Sequence, residues 1–143
     1  CLHTLVSTPA LLARARVLLQ AQRGHFLLGA TDGNAALLTL DHLVHAAGMG
    51  DAVASQLFAE AGRSLGIVVA SLLNLLNLEM VIIGGPVSAV GDALLRPLQR
   101  EVEARALTSA ATAASLVLTE LGADAASIGA ASLMLRRLDT PAT

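Results

Sequence analysis

The chain has 143 residues, 55% of them hydrophobic, with a formal net charge of −2 and a mean hydropathy of +0.68. It is long enough to bury a core as one domain, or as one lobe of something larger, and too apolar to be disordered. All nine basic residues are arginines dispersed from Arg14 to Arg137, and the aromatic residues are Phe26 and Phe58 alone, which excludes from this segment both a basic DNA-contacting footprint and an aromatic platform for stacking bases.

Any contact with DNA is therefore expected from an upstream domain outside this chain. A single cysteine, Cys1, cannot staple a fold and is compatible with a reducing cytoplasm, the expected location. No basic leader followed by an apolar core and a small-residue cleavage site is recognisable. The chain starts at Cys1 without a methionine and is expected to be a fragment.

The predicted elements begin with a helix from about Thr8 to Gln22, where Ser7 or Thr8 caps and Pro9 takes the first turn. Arg23 to Leu38 holds three glycines with Thr31, Asp32 and Asn34 and reads as a loop or irregular connection. Thr39 starts a short helix, "LDHLVHAA", closed by Gly48 and Gly50. These two helices are expected to form a hairpin over about 8–47, followed by an α/β core over about 51–138 and a frayed tail at 139–143. Asp51 caps the longest helix, Ala52 to about Leu76. Its polar residues Gln56, Glu60, Arg63 or Ser64, Ser71 and Asn74 recur at helical steps, so only a narrow stripe is expected to meet water.

A buried strand follows at Met80 to Ile83. A helical stretch covers Ala89 to Ala106, with a break or kink expected near Arg96 because Pro97 removes a helix hydrogen bond. The Ala-rich "TSAATAAS" reads as a loop, a second strand lies around Leu116 to Thr119, and a last helix runs from about Asp124 to Leu138. Strand, helix, strand, helix predicts a right-handed parallel unit. Gly66 to Ile83 is the one membrane suspect. Asn74, Asn77 and Glu79 interrupt it, and a buried helix followed by a buried strand fits better, so no membrane partner is expected.

The stretch "NLEMVIIGGPVSAVGD" carries the strongest functional signal. Gly84 and Gly85 end a predicted parallel strand, the place where open α/β sheets bind ligands. Without a Cβ, glycine lets backbone approach a nucleoside, and Ser88 is placed to cap the next helix. The plainer reading is a tight turn that needs positive φ. His42 and His45, three apart with Asp41 beside them, are within reach of one metal or are simply solvated on a surface helix. Cys1 and His3 are both zinc-ligand types, but two ligands do not close a structural site. The inventory for Ser-His-Asp catalysis exists without a Gly-x-Ser-x-Gly elbow. Asp124 reads as a cap, and Glu101 with Arg105 as an ordinary surface pair.

Four stretches in order, "CLHTLVS", "GRSLGIVVASLLNLLNLEMVIIGGPVS", "GDALLRPLQREVEARAL" and "GADAASIGAASLML", resemble the C-terminal half of the ROK family of sugar kinases and sugar-responsive repressors. The resemblance implies an α/β fold, the C-terminal half of an actin-like ATPase (ribonuclease-H-like) fold, helix-rich with a short parallel sheet. It implies that Cys1 is the last cysteine of the family's zinc-binding Gly-Cys-Leu-Glu segment, the other zinc ligands lying upstream, and that Gly84 and Gly85 are its adenosine-side glycine pair. It further implies a homodimer.

Departures from the family pattern matter too. His3 stands where the family has a sugar-contacting glutamate, so a donor-acceptor imidazole replaces an anionic acceptor. Leu78 stands where Asn-Pro is usual. The phosphate loops and catalytic aspartate of the other lobe lie outside this chain, which is expected not to catalyse phosphoryl transfer alone. The reading is a C-terminal effector-binding and dimerisation lobe of a sugar-responsive transcriptional regulator, with His3 at the sugar effector. The alternative is the same lobe of an ATP-dependent hexose or amino-sugar kinase, with ATP at Gly84 and Gly85. A third reading is a degenerate domain that acts by self-association.

Overall fold

The computed structural model describes residues 1–21, 26–29 and 31–139. A one-turn helix α1 (His3–Val6) leads through Ser7 into α2 (Thr8–Ala21), whose Leu11, Ala15 and Leu19 recur every fourth residue and are buried. After it come α3 (Phe26–Gly29), a 3-10 turn at Ala35–Leu37 and α4 (Leu40–Gly48). The stretch expected to be irregular thus contains short helical turns, while residues 22–25 and 30 lie outside the described residues. Its order has a cause: Leu27 and Leu38 are buried, and Arg16 donates from Nε to the Ala35 carbonyl at 3.2 Å and from Nη2 to those of Ala36 and Leu38 at 3.2 and 3.4 Å. One arginine satisfies three carbonyls that a loop would leave to water.

The long helix α5 spans Ala52–Leu76, capped by Asp51, whose carboxylate accepts from the Ala54 amide at 2.9 Å. Its first half packs against α2 and α4 around Leu57, Phe58 and Ala61 in the larger of two apolar clusters. In its second half Val69, Ala70 and Leu73 join Leu98, Val102 and Ala110 in the other. The narrow polar stripe expected here is too narrow: Ile67, Val68, Leu72, Leu75 and Leu76 are also exposed, because nothing within the described residues covers that side of the helix. It is the one helix among them long and apolar enough to cross a bilayer. Its buried face, shared with two clusters, is the pattern of a core helix.

Helix α6 (Asp92–Arg105) lies along α5 at close range. Gly62 and Gly66, one turn apart, make that approach possible. A Cβ on Gly62 would run into the Leu94 carbonyl oxygen, and one on Gly66 would stand 2.6 Å from the Glu101 Cβ and 2.7 Å from the Leu98 carbonyl oxygen. Of the break or kink expected near Arg96, the break does not occur: α6 is continuous through Pro97. The proline removes one intrahelical donor, yet its ring sits directly over Gly62, where a built Cβ would be 3.2 Å from the Pro97 Cβ. Packing against α5 holds the helix together where propensity alone argues for a break.

Strand β1 (Met80–Ile83) pairs in parallel with β2 (Ser115–Leu118), Met80 opposite Ser115 and Ile83 opposite Leu118. Side chains alternate: Val81, Ile83 and Leu116 pack on the second cluster, while Met80 and Ile82 are exposed, as the two-residue period of a strand requires. Between the strands, the Ala-rich segment expected as a loop is instead a short helix, α7 (Thr108–Ala113). Alanine favours helix intrinsically, and Ala110 gains burial there. A 3-10 turn at Gly122–Asp124, which contains Asp124, precedes α8 (Ala125–Asp139).

Candidate functional site

Strand β1 delivers Gly84 and Gly85 to one wall of a cleft of about 300 Å³. Val6 at the end of α1, Ser7 and Thr8 at the start of α2, and Leu65 of α5 line the same cleft. The glycines differ in role. Gly85 sits at φ +96° and ψ 175°, a region essentially reserved for glycine. Its carbonyl accepts both the Ser88 hydroxyl at 2.7 Å and the Ser88 amide at 3.0 Å. Ser88 is therefore buried in the turn Pro86–Val90 and ties it back to Gly85, rather than capping α6 as its sequence position suggested. Gly84 has an ordinary φ, and a Cβ there would meet only the Thr119 side chain, at 3.6 Å from its methyl and 3.9 Å from its Cβ.

The rest of the lining is apolar, from Ile83, Pro86, Val87 and Leu94, with hydroxyls from Ser7 and Thr8. No ionisable side chain lines it among the described residues. Such a surface suits the apolar part of a small ligand oriented by a few hydroxyl and backbone groups, and it supplies no general acid or base. The volume is at the low end for a complete ligand pocket.

His3, the first residue of α1, is exposed, and so is Cys1 before it. Neither lines the cleft, although Val6 on the same short helix does. Cys1 is a free thiol, and no group of three or more His, Cys, Asp or Glu side chains is placed to hold a metal among the described residues. These residues do not by themselves make a zinc site. His42 is half of a capping box: its Nδ1 accepts from the Thr39 amide at 3.3 Å, and its own amide donates to the Thr39 hydroxyl at 3.4 Å.

Val6, Ser7, Thr8, Leu65 and Leu94 line the cleft without having been expected there. For Ser7 and Thr8 the one signal was the helix start at Ser7-Thr8-Pro9, which reads as a cap alone; Val6, Leu65 and Leu94 gave none. Outside the cleft, Glu60 of α5 is held by the Gln56 amide, which donates to its Oε1 at 3.0 Å, and by the Arg14 guanidinium. The Gln56 hydrogen bond first, then the Arg14 bond and the charges of Arg14 and Arg63, outweigh partial burial and hold this carboxyl below its ordinary value.

The ROK family model matches residues 1–137 of the chain. The chain belongs to the ROK family. Its similarities run to both branches. It is 40% identical over 93 residues to a glucokinase of Halalkalibacterium halodurans, covering 65% of this chain and 28% of that protein. It is 28% identical over 131 residues to the DNA-binding transcriptional repressor Mlc of Escherichia coli, covering 92% of this chain and 31% of that one. To the Escherichia coli regulator NagC it is 29% identical, covering 96% and 32%. The chain thus spans about a third of the length of the curated relatives it matches.

Among solved structures, a ROK family glucokinase from Streptomyces griseus, in complex with glucose and AMPPNP, superposes with a TM-score of 0.81 at 30% identity, over 93% of this chain and 44% of that one. A ROK family transcriptional regulator homologous to Mlc does so at 0.73 and 25%, over 82% and 28%. The fold of this ROK chain is therefore the helix-rich, short-sheeted part of an actin-like ATPase architecture.

Proposed function

We propose that this chain is the C-terminal lobe of a sugar-responsive ROK transcriptional regulator, contributing half of an effector cleft and a dimer contact. The observation that carries the reading is His3, an imidazole where the family resemblance puts a sugar-contacting glutamate. A carboxylate accepts from two sugar hydroxyls at once, whereas a neutral imidazole offers one donor and one acceptor, which alters the demands of kinase-type sugar binding. Consistent with the same reading, the similarity to Mlc and NagC extends over 92% and 96% of the chain.

In this reading the effector is a sugar or sugar derivative met at His3, while Gly84 and Gly85 line the neighbouring cleft that Val6 of the same short helix enters. Cys1 supplies one zinc ligand to a site completed by residues upstream. The exposed apolar side chains of α5 and α8, Leu72, Leu75, Leu133 and Met134 among them, support a homodimer. DNA is contacted through a separate upstream domain, in the cytoplasm.

The kinase reading rests on a specific observation of its own: the 40% identity to the Halalkalibacterium halodurans glucokinase. In that reading Gly84 and Gly85 meet the adenosine of ATP. The deciding experiment extends the chain upstream into its complete reading frame and assays the product for glucose-dependent ADP release and for duplex DNA binding. DNA binding that sugar modulates, with no ADP release, is expected. Sugar-dependent turnover by the complete protein would overturn the regulator reading in favour of the kinase.

A further inference from the structure

Three of the nine arginines meet at one place. Arg14 of α2, Arg63 of α5 and Arg105 at the end of α6 line a hollow of about 490 Å³ with Glu60, Glu101, Ser64, Leu5 and Ile67. It shares no lining residue with the Gly84–Gly85 cleft. Two of the cations are matched: Arg14 pairs with Glu60, and Arg105 with Glu101 four residues earlier. Arg63 makes no hydrogen bond or ion pair among the described residues. The hollow therefore holds three guanidiniums against two carboxylates, in a chain whose overall charge is −2.

Gathering like charges is unfavourable unless counter-charges are present; Arg63 is exposed and acts on Glu60 only through space, and the cations of the hollow outnumber its carboxylates by one. Arg14 and Arg105 each carry five N–H donors, of which the carboxylate contacts occupy a part. Ser64 donates its hydroxyl to the Glu60 carbonyl at 2.9 Å, which leaves its oxygen as an acceptor only. The donors in excess are thus guanidinium N–H groups, whose planar fork matches the oxygens of phosphate. The hollow is open to solvent, its volume falls in the range of small-ligand sites, and Leu5 and Ile67 add apolar surface to it.

We propose that the Arg14–Arg63–Arg105 hollow binds a phosphate-bearing small molecule, its oxyanion held by Arg63 and by the free donors of Arg14 and Arg105. The test is a titration with inorganic phosphate at constant ionic strength, made up with chloride, followed through the arginine Nε–H signals by nitrogen-15 NMR. A saturable shift at Arg63 and Arg105 is expected. Arg63→Gln weakens it at least about tenfold, whereas Arg96→Gln, which breaks the exposed Asp92 pair on the far end of α6, leaves it unchanged. Glu101→Gln, which releases Arg105, tightens it. A drift that never saturates, or equal loss in Arg63→Gln and Arg96→Gln, overturns the proposal. Binding of an acidic peptide that depends on Arg63, in the absence of phosphate binding, overturns it as well and assigns the surface to an acidic protein partner.

Discussion

The side-chain amide of Asn74 accepts a hydrogen bond from the Leu107 backbone N–H at 2.8 Å, and its Nδ2 donates to the Arg105 carbonyl at 3.3 Å. One residue near the end of α5 thereby fixes the bend between α6 and α7, thirty-three positions away in sequence. Because α7 feeds β2, this clamp also sets where the second strand begins. Asn74→Ala is expected to lower stability by about 1 kcal/mol, the net value of such bonds at an accessible site. Asn74→Asp, which keeps the acceptor for Leu107 and loses the donor, should lose less. Urea unfolding of the three proteins checks the order.

The crossing of α5 and α6 gives an opposed pair of glycine predictions. Gly66→Ala places a Cβ within 2.7 Å of the Leu98 carbonyl oxygen and against the Glu101 side chain. Backbone cannot withdraw cheaply, so a loss of about 2–3 kcal/mol is expected, even though alanine favours helix by about 1 kcal/mol. Gly129, inside α8, has nothing within 4 Å of a built Cβ. Gly129→Ala should stabilise by up to about 1 kcal/mol. Thermal melts that move the two variants in the same direction would contradict the packing described for Gly66.

How much of this was legible in the sequence depends on the range of the interaction responsible. The Met80–Ile83 strand, the Asp51 cap and the Ala52–Leu76 helix match their predicted bounds, since a β-branched run, an aspartate and a 3.6-residue period are local signals. The continuity of α6 through Pro97 and the helix at Thr108–Ala113 were not legible, for the opposite reason. What keeps α6 continuous is Gly62 on another helix, and what fixes α7 is the Asn74 clamp and the burial of Ala110. At the cleft, the glycine pair was visible as a strand exit. Val6, Ser7 and Thr8, which line the same cleft, lie some 76 or more positions earlier and gave no local sign of meeting it.

The two glycines of the cleft separate by mechanism. Gly85 needs its backbone conformation, at φ +96° with ψ 175°, so Gly85→Ala is expected to cost about 1–3 kcal/mol without any clash, since nothing lies within 4 Å of its built Cβ. Gly84 does not need its conformation, and its Cβ would rest at ordinary contact distance, 3.6 Å from Thr119. Gly84→Ala should leave stability within about 0.5 kcal/mol. Any loss of ligand binding in that variant would then report access to the cleft rather than folding. Denaturant midpoints measured for both variants decide the assignment.

The acid limb of stability supplies the last test. Glu60 is held below its ordinary value of 4.5 by the Gln56 hydrogen bond and the Arg14 and Arg63 guanidiniums. A carboxyl whose pKa is lower folded than unfolded stabilises the protein fully above its unfolded value, and that contribution disappears as pH falls through the folded one. The contribution is therefore present at pH 6 and lost in the acid range below about 4.5. The side chain is 29% exposed, so solvent screening limits its worth to about 1 kcal/mol or less. Glu60→Gln should be less stable than the parent at pH 6, and the gap should close as both are titrated to pH 3. Melting curves across that interval in which the gap stayed constant, or widened, would mean that the Arg14–Glu60 contact contributes through packing alone.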